Sequence, residues 1–179
     1  MKSQQKDVQQ NKLLYALVIY DTPDGDSDIQ KITNDVLNID YPSDKLKIII
    51  NSYISPKKNV NDYVNLTNVI IKNFKHARLL LNKTDCNIPE IDFNAFSKCQ
   101  NANYLVKMNI DQSIDKDYFN NINNITTEKG NDIIFCQNDI TAIPYNIVSK
   151  NYLMFNDYNL MEKYLIEISK KNGSFEEIT

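Results

Sequence analysis

The chain has 179 residues, 42% of them hydrophobic, and a net charge of −3. That length suits one domain with a real core. The scattered basic residues leave no electrostatic footprint for nucleic acid, and no apolar run approaches the roughly 18 residues of a membrane span.

Residues 13–20 form a short continuous apolar run, the pattern of a strand covered on both faces. The acids of 21–28 supply N-cap candidates. Ile29, Ile32, Val36 and Leu37 then share a helical face. Tyr41-Pro42 breaks the chain, and 45–50 reads as a second strand. A helix from about Asn59 carries Val60, Tyr63, Val64, Thr67, Ile71 and Phe74 on one face. Residues 77–81 read as a third strand. Pro89 suits the first turn of a helix continued by Ile91, Ala95, Phe96 and Cys99. Residues 104–108 form a fourth strand that ends in Asn109-Ile110-Asp111. Asp115 can cap a helix burying Phe119, Ile122 and Ile125, and 132–137 is a fifth strand. The last helix runs over 158–171 with Leu160, Met161, Tyr164, Leu165 and Ile168 as its stripe. Lys170 and Lys171 sit at its negative end, and Gly173 stops it.

This alternation predicts an α/β fold, a three-layer α/β/α sandwich around a mostly parallel central sheet. The expected organisation is one domain over 13–179 after a polar segment 1–12. Ligands of such sheets bind outside the carboxyl ends of the strands. That rule points to Tyr20, Asp21, Asn51, Ser52, Asn109 and Asp111. Tyr20, Tyr53 and Tyr145 are the aromatics expected to line the cleft.

The segment from Met1 to Lys12 has no apolar core and does not read as a secretory signal. An intracellular or virion location is expected. Only Met1 and Val8 are apolar there. The segment cannot offset its own ordering entropy, roughly 1–2 kcal/mol per residue. It is therefore expected to contact other protein chains.

Cys86, Cys99 and Cys136 form an odd, widely spaced set, and His76 is the only histidine. They read as reduced thiols and a surface imidazole, not a zinc site. The acidic loop 21–28 fails the EF-hand pattern, because Ile29 stands at the glycine position and Asp35 at that of the bidentate Glu. The glycines are isolated and form no phosphate loop.

The first strand, the turn 37–42 ending in Tyr-Pro, the 45–50 strand and the Asn109-Ile110-Asp111 strand end resemble family 2 glycosyltransferases, which have the GT-A fold. The resemblance covers 13–137. It implies base- and ribose-binding carboxylates at the second strand end, where this chain has Asn51, Ser52 and Tyr53. It implies an Asp-x-Asp pair holding Mg²⁺ or Mn²⁺ against the diphosphate, where Asn109 replaces the first acid and Asp111 remains. It also implies a general base before the last helix, where Asp157 is the candidate and an N-cap its simpler role. Tyr20, Asp21, Asn51, Asn109 and Asp111 become the expected nucleotide-sugar-binding set, with Asp111 the metal ligand.

With its acids so reduced, the chain is expected to be a degenerate glycosyltransferase-like pseudoenzyme without a cofactor. Its expected role is a binding or structural module in a larger assembly such as a virus particle. One alternative is an active transferase using Asp111, Mg²⁺ or Mn²⁺ and a nucleotide-diphosphate sugar. The other is an inactive nucleotide-sugar-binding protein.

Overall fold

The computed structural model describes residues 12–21, 28–56, 58–83, 88–155 and 157–178. Segment 1–12 lies outside these residues except for Lys12, whose ammonium donates to Asn120 Oδ1 at 2.8 Å. Cys86 lies outside them too.

The strands are β1 (Tyr15–Tyr20), β2 (Leu46–Ile54), β3 (Ala77–Lys83), β4 (Tyr104–Asn109), β5 (Ile134–Gln137), β6 (Ile140–Pro144) and β7 (Phe175–Glu177). They form one sheet in the order β3-β2-β1-β4-β6-β5-β7. Only β6 runs against the rest. The helices are α1 (Ile29–Leu37), α2 (Val60–Asn73), α3 (Ile88–Ser97), α4 (Tyr118–Lys129), α5 (Tyr145–Phe155) and α6 (Tyr158–Asn172).

Strand alternation sorts the core into two faces. Tyr15, Leu17, Ile19, Ile48, Ile50, Tyr104, Val106 and Met108 pack against α1, α2 and α4. Ala16, Val18, Ile49, Leu105 and Ile143 pack against α3, α5 and α6. The three-layer sandwich follows, because strands apolar on both faces demand a helical layer on each. Each fully buried large side chain contributes roughly 1.5–3 kcal/mol.

Several boundaries move. β2 continues four residues past Ile50, so Asn51 lies inside the strand. The buried stripe of α2 is Tyr63, Leu66, Thr67 and Ile70, while Val64 and Ile71 are exposed. In α6 the buried residues are Tyr158, Met161, Leu165 and Ser169, and Leu160 and Tyr164 face outward. Asp115 does not cap α4 directly. Its carboxylate accepts from the Asp117 amide, and the helix starts three residues later. β6, α5 and β7 have no counterpart in the sequence reading.

Candidate ligand cleft at the carboxyl ends of β1 and β4

β1 leads through α1 to β2 on one side, whereas β3 leads through α3 to β4 on the other. The order therefore reverses between β1 and β4. At such a switch point the connections diverge and leave a crevice beyond the strand ends.

Register sets what faces it. Tyr20 lies opposite Asn51 on β2 and opposite Asn109 on β4. All three have the parity of the α3/α5/α6 face. Asp21, one residue on, has the other parity and meets α2. Its carboxylate accepts from Ser52 Oγ at 2.7 Å and Tyr63 Oη at 2.6 Å, and it pairs with the Lys58 ammonium. The sheet thus divides the expected ligand set in two.

Asn51 is 1% exposed and its Oδ1 accepts from Asn82 Nδ2 at 2.6 Å. Its own Nδ2 finds no partner among the described residues. Neither does the Tyr158 hydroxyl, while the Tyr20 hydroxyl and the Asp92 carboxyl face each other within hydrogen-bonding reach. Three of these belong to one buried neighbourhood: Asp92 on α3 acts electrostatically on both tyrosines.

Beyond Asn109 the chain turns. The Asn109 amide donates to Gln112 Oε1 at 2.6 Å, and the Gln112 amide donates back to the Asn109 carbonyl at 3.1 Å. Gln112 Nε2 reaches the Asp139 carbonyl at 3.4 Å. Asp111 is exposed in this turn. From α1, Lys31 Nζ donates to the Asp111 carbonyl at 2.9 Å and the Gln112 carbonyl at 3.4 Å.

A polar cleft of about 210 Å³ opens beside the turn, lined by Lys107, Met108, Asn109, Gln112, Asp139, Asn159 and Glu162. Lys107 Nζ donates to Asn159 Oδ1 at 2.6 Å and stands 5.0 Å from the Tyr20 ring centre and 4.6 Å from that of Tyr158. Burial raises the Glu162 carboxyl above its ordinary range, with Thr141 and Lys107 opposing. Asp92 is raised in the same way, again chiefly by burial.

Lys107, Asp92 and Glu162 were not singled out from sequence. Lys107 had a signal: a lone cation inside an apolar strand needs a polar outlet. Asp92 and Glu162 sit on amphipathic helices, where an acid looks like solvent-facing decoration.

Asp157 is the N-cap of α6 and accepts from the Leu160 amide at 3.1 Å. That places it on the helix that also carries Asn159 and Glu162. Tyr145 is a correction. It begins α5 at the amino end of β4, away from the cleft, where Pro144 pairs with the first residue of that strand, and its hydroxyl donates to the Phe96 carbonyl at 3.2 Å. His76 is exposed.

A divalent cation fits the turn poorly. Magnesium and manganese want several charged oxygens. Here Asn109 offers a neutral amide, Asp111 one carboxylate, and the Lys31 ammonium already sits on the Asp111 carbonyl. Among the described residues no three His, Cys, Asp or Glu side chains gather as a metal site.

No protein-family model and no curated protein matches the chain. Solved structures do. TarS from S. aureus, residues 1–349, superposes with a TM-score of 0.57 at 9% identity, covering 78% of this chain and 49% of that one. The mannosyltransferase PcManGT from Pyrobaculum calidifontis, solved with GDP-Man and Mn²⁺, gives 0.59 at 9% identity over 78% and 46%. A cytidylyltransferase from Leptospira borgpetersenii gives 0.56 at 11% identity over 93% and 76%. The chain spans about half the length of the two glycosyltransferases. The fold is GT-A-like.

Proposed function

We propose that the chain is a nucleotide-sugar-binding domain on a glycosyltransferase-like frame, acting as a binding module rather than a metal-assisted transferase. The observation that carries this reading is the shared register of Tyr20, Asn51 and Asn109 at the switch point, beside a polar cleft. Tyr20 and the buried Asn51 form the floor behind the cleft, and Asn109, Gln112 and Asn159, which line it, offer amides for hydroxyls. TarS is also solved with UDP-GlcNAc and PcManGT with GDP-Man, which supports the choice of ligand class. No helix among the described residues is long and apolar enough to cross a membrane.

Calorimetry against uridine, guanosine and cytidine diphosphate sugars tests the reading, with and without Mn²⁺. It expects one nucleotide class to bind tighter than about millimolar. No heat from any of them overturns it.

A second reading, an active transferase, is favoured by Glu162. Its carboxyl lines the cleft, and burial shifts it toward the range useful for a general base. Product formation from a bound sugar nucleotide, lost in Glu162→Gln, would establish it.

A further inference from the structure

We propose that this chain holds the diphosphate of its ligand with the ammonium groups of Lys31 and Lys107, and with no divalent ion between them. The proposal rests on the nucleotide-sugar reading and extends it to how the anion is bound. The two lysines approach the Asn109–Gln112 turn from opposite sides of the sheet. Lys31 comes from α1, whose Ile32 and Val36 pack in one core layer. Lys107 is on β4 with the parity of the other layer, and its ammonium lies over the Tyr158 ring of α6.

Both cations are held in place before any ligand arrives. Two backbone carbonyls fix Lys31 Nζ at 2.9 and 3.4 Å. Asn159 and two tyrosine rings fix Lys107 Nζ. An ammonium has three donors, so Lys31 retains one beyond those two carbonyls. Lysine binds phosphate as a point charge and needs no metal bridge. The amides of Asn109, Gln112 and Asn159 line the cleft with Lys107, and Lys31 reaches the backbone of the same turn.

The carboxyl groups of the cleft fit the same picture. Asp139 is exposed at the rim, and burial favours the neutral form of Glu162. Both can accept from sugar hydroxyls while the lysines face the phosphates. Where an Asp-x-Asp pair would recruit a cation from solution, this chain has replaced one acid by Asn109 and supplies positive charge from its own side chains.

The test is calorimetry of the full chain with uridine, guanosine and cytidine diphosphate, each in EDTA and again in Mn²⁺. The probes are compared on the native protein and on Lys31→Gln, Lys107→Met and Asp111→Asn. Lys107→Met keeps an unbranched apolar stem between the two rings, and Lys31→Gln lies on a partly exposed helix face. Melting curves verify that each variant is folded.

The proposal expects binding in EDTA that Mn²⁺ does not tighten, weakened about tenfold by each lysine change and unaffected by Asp111→Asn. Binding that requires Mn²⁺ and is lost in Asp111→Asn overturns the proposal and leaves the nucleotide reading standing. Metal-free binding indifferent to both lysines does the same. Absence of binding under either condition overturns the nucleotide reading itself.

Discussion

The Asp21 carboxylate and the Asn109 side chain stand at the ends of neighbouring parallel strands, one register step apart, yet on opposite faces of the sheet. Asp21 turns into a buried network with Ser52, Lys58 and Tyr63. Asn109 turns toward α6 and the polar cleft. Strand alternation alone separates the two.

Asp21 is therefore expected to matter for stability. Its side chain is fully buried and that of Lys58 is 4% exposed. Asp21→Ala would remove the acceptor that a buried ammonium and two hydroxyls share. Urea denaturation is expected to show a loss of about 3–5 kcal/mol. A loss below about 1 kcal/mol would mean that water reaches the pair and the network is not structural.

Asn109 is exposed, so Asn109→Asp is expected to change stability by less than about 0.5 kcal/mol. The added carboxylate restores a second charged oxygen near Asp111 and is expected to tighten Mn²⁺ binding. Calorimetry reads both ligand and metal. An unchanged Mn²⁺ constant would show that Asn109 and Asp111 cannot share an ion.

Asp92 gives the fold a pH dependence of definite sign. In the unfolded chain it titrates in the ordinary carboxylate range, whereas burial holds it higher when folded. Below the ordinary range both states keep the proton and Asp92 costs nothing. Between the ordinary and the raised value the unfolded state releases its proton first, so stability falls as pH rises. Glu162 acts in the same direction. Asp92→Asn, compared with the native chain at about pH 4 and about pH 8, is expected to gain more at the higher pH. An equal effect at both would show that Asp92 ionises normally.

Asp157 can be tested as a cap. Asp157→Ala is expected to cost about 1 kcal/mol, and Asp157→Ser to restore most of it, because serine also accepts from the first-turn amides. Chemical denaturation of the two variants separates the cases. Equal losses would point to a role for the charge itself.

The first four strands were legible because each is a short apolar run between turn signals, the mark of burial on both faces. The helical stripes of α2 and α6 were legible only in part. Val64, Ile71, Leu160 and Tyr164 are apolar yet exposed, so hydrophobicity alone set the wrong phase. The β5–β6 hairpin was missed although its turn is written in the chain. Asn138 and Asp139 take φ of 50° and 63°, the two-residue turn that Asn and Asp tolerate. Tyr20 and Asn109 end their strands as the strand-end rule expects, whereas Asn51 lies inside β2, which runs on to Ile54. Their separation from Asp21 was not legible, since it depends on the residue at which each strand ends. Glu162 and Asp92 come to the strand ends only through packing of α6 and α3, which no local pattern encodes.

The central claim, that a sugar nucleotide binds at this switch point, is tested most directly by an amide NMR titration with the sugar nucleotide that binds tightest. The account predicts shifts concentrated at Tyr20, Asn51, residues 107–112 and residues 159–162, and none at a separate groove between α3 and α5 lined by Phe93, Phe96, Tyr145 and Tyr152. Shifts centred on that groove, or none at saturating ligand, would contradict it.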